Sequence, residues 1–436
     1  MSIGRLITVI ANSVWGWPLV LFVLVVSIIC TVCFRFVQFR SFAQAIRLTV
    51  KPEMLKTKGD MSPFEALLNT LSISLGNGSL AGMATAVYAG GPGVAVWVFV
   101  LGLLSMALRF AEVFLGTHFL SKKTHTMRLG GPMIYLQELP AGKFFATLYA
   151  FFLLFLGFAA SAGMQSNSMC IGCMHLFGVS AFFVAIVLFL FTAYVVWGGA
   201  HRIVQISDAI VPLKVILFFG SAIIVLGYHY QALVPALYTI FNSAFCTRSF
   251  ATGCAWFGVQ QAMRYGFSRS INASEAGLGS AAVFFGGTNS HESKKSALIS
   301  MLSVFISANL VCFLVVLMIV ATGVLSTGQT SLALTIAAYE TVFGSFGGLL
   351  VTFLSIIFGL GVLVSYSYVA NACWLFLTAG RFEFAFRLIY CCMAFAGALG
   401  AVEVVWHLVD IANAGLLILN LCGILWLLPL IAKSVD

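Results

Sequence analysis

Charge is scarce in this 436-residue chain: Asp, Glu, Lys and Arg together make up only 8% of it. Stretches such as residues 66 to 108 and 144 to 201 carry no charged residue at all. Each is long enough to cross a bilayer twice, because one crossing needs roughly 20 apolar residues. The alternating ten-residue polarity of a membrane β-barrel is also missing, since the apolar runs are continuous and rich in Leu, Val, Phe and Gly. With 61% hydrophobic residues, the sequence predicts an all-α polytopic membrane protein.

Other absences narrow the chemistry. The eleven cysteines are scattered through apolar surroundings, where Cys acts as a small hydrophobe. Cys170 and Cys173 form one Cys-x-x-Cys with no second pair and no clustered histidines, so neither a metal nor a redox cofactor is predicted. No span carries arginines at three-residue intervals, which excludes a voltage sensor. Only Arg5 precedes the first apolar run and the positive charges follow it, the order of a retained span with its amino end outside.

What is present is a regular succession of apolar segments. Spans are predicted near residues 17–35, 64–89, 93–119, 144–172, 179–198, 208–228, 243–265, 296–324, 346–377, 384–401 and 408–432, about eleven crossings. Lys and Arg accumulate in cytoplasmic loops, and here they fall in alternate loops: Arg35 to Lys58, Lys122 to Lys143, Arg202, then Arg269 with Lys294 and Lys295, Arg381 and Lys433. The net charge of +9 is therefore a topology signal, with no nucleic-acid partner implied. The amino terminus is expected outside and the carboxyl terminus in the cytoplasm.

The stretch SISLGNGSLAGMATAVYAGGPG, residues 72 to 93, interrupts the second span. Gly76 lies about a dozen residues inside it, close to mid-bilayer at ~1.5 Å per residue. Glycine disfavours helix by about 1 kcal/mol relative to alanine, so Gly76-Asn77-Gly78-Ser79 is a point of unwinding; packing glycines are the plainer reading. Backbone freed at that depth must be buried in protein or line a cavity.

A second interruption is expected in the seventh span, at Gly253-Cys254-Ala255-Trp256-Phe257-Gly258. The rival location is Ser270 to Gly287, whose flanking Arg269, Lys294 and Lys295 read as a cytoplasmic loop. The two interruptions lie five spans apart, and an offset of five reverses orientation. Paired broken helices in inverted halves mark the binding site of a secondary transporter. In the fourth span, Gln165 opens the polar run Gln165-Ser166-Asn167-Ser168 and is the residue expected to touch a substrate; capping of the outer helix end is the alternative. Glu112 follows Arg109 at i+3, a spacing that allows an internal ion pair with a structural or gating role.

In order and spacing, GNGSLAGMATA, YAGGPGVAVWVFVLGLLSMALRFAEV, GGPMIYL, QSNS, QAMRYG and SEAGLGSA resemble the alanine or glycine:cation symporters, the sodium:alanine symporter family. The resemblance implies a LeuT-like 5+5 inverted repeat with one extra N-terminal helix: 1–61 the extra helix and basic loop, 62–228 the first repeat, 229–436 the second. It implies sodium-driven uptake of a small amino acid such as alanine or glycine across a bacterial cytoplasmic membrane. The partners are the amino acid and the lipid bilayer, with no obligatory protein partner. No organic cofactor is implied, only a sodium ion or proton as coupling ion.

Carried over by residue, the turn at Gly76, Asn77 and Gly78 would hold the substrate carboxylate through backbone amides, Gln165 matches a pocket glutamine, and Gly253, Phe257 and Gly258 belong to the second break. Ser79 falls where the family has an asparagine expected to ligate sodium, and Ser274 replaces another. Gly361 and Val362 stand where the family has a Ser-Thr pair, so that a cation there would find backbone oxygens only. Substrate binding thus transfers better than sodium coupling, and proton coupling or exchange is an alternative. A channel would need a filter-like ring and a membrane-embedded hydrolase a nucleophile with a base; neither pattern occurs.

Overall fold

A computed structural model describes residues 15–50, 61–120, 129–245, 254–288, 292–400 and 403–435, and among these there is no strand. Among the described residues six helices are long and apolar enough to cross a membrane: Val94–His118, Gly142–Met174, Gly199–Tyr228, Ser293–Ala321, Ser345–Leu377 and Leu408–Ser434. The protein is a multi-pass membrane protein built of helices.

The first helix, α1 (Trp17–Cys33), begins with Pro18 in its first turn and leads through a short turn to α2 (Phe42–Val50). The next, α3 (Pro63–Ser74), has a complete capping box: Glu65 N donates to Ser62 Oγ at 3.2 Å and Ser62 N to Glu65 Oε2 at 2.5 Å. This start fixes the register that brings Ser72 to Gly76 to the middle of the protein. After Ser74 the α-helix stops, and the chain resumes through a wide π turn, Gly78–Gly82, into α4 (Met83–Gly90).

The long α5 (Val94–His118) is buried along nearly its whole length. A continuous rod follows, composed of α6 (Gly142–Leu156), a π segment Gly157–Gln165 and α7 (Ser166–Phe177). Then come α8 (Ala181–Trp197), α9 (Gly199–Tyr228) and α10 (Tyr230–Phe245). The second half contains α11 (Cys254–Ser274), the short α12 (Ser280–Gly287), and α13 (Ser293–Val304) joined by a π segment to α14 (Phe313–Ala321). It ends with α15 (Ser331–Phe343), α16 (Ser345–Leu377), α17 (Glu383–Leu399) and α18 (Glu403–Val435).

Two sequence expectations are corrected. The stretch from Cys254 onward is one uninterrupted helix, and the second break lies at residues 275–279, inside the segment read above as a cytoplasmic loop. That segment is buried throughout 274–288, so its basic neighbours misled: Arg269 lines an internal cavity instead of facing cytoplasm. Moreover, α10 and α15 occupy stretches expected to be loop or span edge. Their sequences are too short for a crossing, yet α15 packs on the first break, where Thr335 Oγ1 donates to Leu80 O at 3.3 Å.

Candidate functional site

The first break is an interruption of both hydrogen bonding and direction. Leu75, which ends α3, has φ −94° and ψ 67°, outside helical geometry. Gly76 follows with no room for a side chain, because a Cβ there would come 2.8 Å from Val362 Cγ2. Gly78 is exposed and a Cβ at it would meet nothing within 4 Å. The helix that resumes here turns its positive end to this point, where a helix start leaves amides without i−4 acceptors; Ser79 N donates to Gly76 O at 3.0 Å.

Three of the residues singled out in the sequence converge at this point. Asn77 Nδ2 donates to Gln165 Oε1 at 3.2 Å, and Ser355 Oγ donates to Asn77 Oδ1 at 2.8 Å. Gln165 Nε2 also lies beside Gly76, 3.8 Å from where its Cβ would be. Gln165 closes the π segment between α6 and α7, a wide turn of the kind that recurs at functional sites. Its neighbour Asn167 faces elsewhere, donating to Gly400 O at 2.9 Å, so the polar run divides between pocket and helix-end roles.

The second break is clasped by α5. Arg109 Nη2 donates to Ser274 O at 2.5 Å, satisfying a carbonyl at the end of α11. One turn further, Glu112 Oε1 accepts from Gly279 N at 3.0 Å, at the start of α12. A positive group thus sits on the negative helix end and a negative group on the positive one, as the helix dipoles favour. The two side chains also pair at 3.5 Å, wholly buried, and Asn420 Nδ2 donates to Glu112 at 2.8 Å. Between the helix ends the chain takes left-handed φ at Glu275 (54°), Gly277 (94°) and Gly279 (83°). The Glu275 carboxylate accepts from Ser280 Oγ at 2.7 Å and Tyr366 OH at 2.8 Å.

The breaks touch. Ser74 Oγ, at the end of α3, lies 3.3 Å from Ser274 O at the end of α11. Beside this junction is a cavity of about 340 Å³, within the range of small-molecule sites. Gly76, Gly78, Ser79 and Gln165 line it from the first half, Glu275 and Arg269 from the second, and Val362 and Tyr366 from α16. Trp15 and Asp410 line it too, and Trp15 Nε1 donates to Asp410 O at 2.8 Å.

The remaining sequence expectations divide. Ser79 lines the cavity, but its hydroxyl is engaged with Ser74 O at 3.2 Å. Gly361 and Val362 lie on α16 opposite α3, and their carbonyls accept from Ser72 Oγ at 2.8 Å and Ser161 Oγ at 3.2 Å. Gly253 lies outside the described residues. Phe257 and Gly258 fall within α11, more than four turns before its broken end, and are not at the second break.

Sequence reasoning met Glu275 only within the rival location of the second break, and missed Lys214. Lys214 is the one charged residue in the apolar stretch 209–228, and an ionisable residue within a membrane helix is itself a signal of function. Its side chain is fully buried, and Nζ donates to Ser72 O at 2.9 Å and Leu75 O at 3.0 Å.

Comparison with known proteins agrees with this architecture. The chain is 30% identical to the sodium/alanine symporter AgcS of Methanococcus maripaludis, over 98% of its own length and 95% of that protein's. It is 25% identical to the amino-acid carrier protein AlsT of Bacillus subtilis, over 93% of this chain and 86% of the other. The solved structure of a manganese transporter from Eremococcus coleocola shares the fold at a TM-score of 0.51 and 12% identity, covering 84% of this chain and 76% of that one. The model of the sodium:alanine symporter family matches residues 1–436. The chain belongs to the sodium:alanine symporter family.

Proposed function

We propose that this membrane transporter carries a small neutral amino acid, such as alanine or glycine, by cation-coupled alternating access. The observation that carries the reading is the cavity enclosed by two helix breaks at mid-protein. A zwitterion brings one carboxylate and one ammonium. The opened start of the helix at Gly76 and Gly78 offers amides and a positive dipole end to the carboxylate. Gln165 supplies both a donor and an acceptor, and Glu275 places a carboxylate on the opposite wall.

The 5+5 arrangement fits these positions. The first break opens α3–α4 at the beginning of the segment 62–228, and the second opens α11–α12 early in 229–436, with α1 and α2 as an addition before both. Discontinuous helices in corresponding places of two inverted halves are the pattern of secondary transporters. Rocking of one helix group against another would then expose the cavity to each side in turn. The charge pattern supports an amino terminus outside, in the bacterial cytoplasmic membrane that the family resemblance implies.

Sodium is the ion the family is named for. Proton-coupled or exchange transport is a second reading, favoured by the absence of hydroxyls at Gly361 and Val362. Counterflow of labelled alanine and glycine into proteoliposomes preloaded with the unlabelled amino acid tests the substrate. Saturable exchange that Gly76→Leu abolishes is expected; no exchange of either amino acid contradicts the assignment.

A further inference from the structure

A lysine buried in a membrane protein needs its charge compensated, and among the described residues Lys214 has no carboxylate partner. Arg109–Glu112, Lys295–Glu292 and Arg387–Glu383 are ion pairs of this kind. Its ammonium is held instead by Ser72 O and Leu75 O, carbonyls released where α3 ends, with the Phe358 ring centroid 5.5 Å away. Carbonyls at a helix carboxyl end carry the negative end of the dipole. They are the oxygens that an opened helix of a transporter offers to a small coupling cation.

The facing helix is shaped around this ammonium. A Cβ at Gly361 would lie 2.9 Å from Lys214 Nζ and 2.9 Å from Ser72 Oγ, so a side chain there and the ammonium cannot both be accommodated without a shift. The neighbouring Val362 contributes no side-chain oxygen. The Gly361 and Val362 carbonyls are occupied by Ser72 and Ser161 hydroxyls. A sodium ion entering here would find its oxygens already accepting hydrogen bonds and a fixed positive charge among them, at a distance where like charges repel strongly in a low dielectric. The residues present do not fit sodium.

We propose that the Lys214 ammonium is a tethered cation that stands in for a coupling sodium ion between α3 and α16, so that this site works without sodium. The second break follows the same logic, its freed Ser274 carbonyl being held by the Arg109 guanidinium. A side-chain cation thus replaces a diffusible one at each opened carboxyl end. The consequence for transport rests on the amino-acid reading above, whereas the occupancy of the site does not.

The test therefore separates the two. Thermal unfolding of the detergent-purified full chain, without substrate, is compared in sodium chloride and choline chloride at about 150 mM. A ligand that binds only the folded state raises the midpoint, so the wild type should show midpoints within about 1 °C of each other. The triple variant Lys214→Ala, Gly361→Ser, Val362→Thr should gain a sodium-specific rise of about 2 °C or more, since it restores hydroxyls and vacates the ammonium's place. A sodium-specific rise in the wild type overturns the proposal, and the wild-type comparison stands alone if the variant does not fold. A folded variant that ignores sodium also overturns it. Alanine counterflow should proceed at equal rates in both salts; if it is absent from both, the substrate reading fails while the unfolding comparison still decides the site.

Discussion

Arg109 holds the carbonyl oxygen of Ser274 at 2.5 Å, joining α5 to the end of α11 across 165 residues of sequence. The same arginine pairs with Glu112, which accepts from Gly279 N at the end of the break. The opened helix is therefore held from both ends by one neighbouring turn.

Removing one member of this pair leaves the other as an uncompensated buried charge, at a cost of about 3–5 kcal/mol. Arg109→Met and Glu112→Leu should each lower the unfolding midpoint in detergent far more than Arg387→Ala, which breaks a partly exposed pair. The double variant should be less destabilised than the sum of the singles. Additive losses would show that the two side chains act separately.

Gly76 is fixed by contact with α16. Gly76→Ala forces a methyl to within 2.8 Å of Val362 Cγ2, an overpacking that costs about 1–3 kcal/mol. Alanine counterflow should fall steeply, and adding Val362→Ala should recover most of it. If Val362→Ala gives no rescue, the defect lies in the lost backbone freedom of the glycine and not in this contact.

The polar run Gln165 to Ser168 can be dissected by side chain. Gln165→Ala removes the acceptor of Asn77 Nδ2 and a cavity wall, leaving a buried donor unsatisfied at about 1–3 kcal/mol. The KM for alanine should rise about tenfold, the change that 1.4 kcal/mol produces. Asn167→Ala, whose partner is Gly400 O at the helix end, should leave KM unchanged. Equal effects would place the whole run outside the site.

The location of the second break is tested by glycine substitutions. Gly279→Ala demands a left-handed φ of 83° and sets a Cβ 2.3 Å from Pro132 Cγ, so assembly should fail or transport vanish. Gly220→Ala, in the middle of α9 with open space around it, should be tolerated or stabilise by up to about 1 kcal/mol. Reversed outcomes would contradict the break at 275–279.

The sequence disclosed the first break because Gly76, Asn77 and Gly78 put polar and flexible residues at mid-bilayer depth in an apolar run. It also disclosed the Arg109–Glu112 pair, since i+3 spacing on a helix is a local relation. The second break was misplaced for a physical reason. Basic residues at 269, 294 and 295 mark cytoplasmic exposure on average, but Arg269 here is spent inside the protein, lining the cavity. Lys214 went unread because its partners are backbone carbonyls 139 and 142 residues away, and no local pattern encodes such a contact. Likewise Asp410 lines the cavity through the packing of α18 beside Trp15, a contact with no local signal in the sequence.

The central claim is that the cavity between the two breaks holds an amino-acid zwitterion by the Gly76–Gly78 turn and Gln165. Equilibrium binding of labelled alanine to the purified full chain, repeated for Gly76→Leu and for the remote control Arg387→Ala, tests it most directly. Saturable binding that Gly76→Leu eliminates and Arg387→Ala preserves is the predicted result. Alanine and glycine binding that persists unchanged in a folded Gly76→Leu variant would contradict the account.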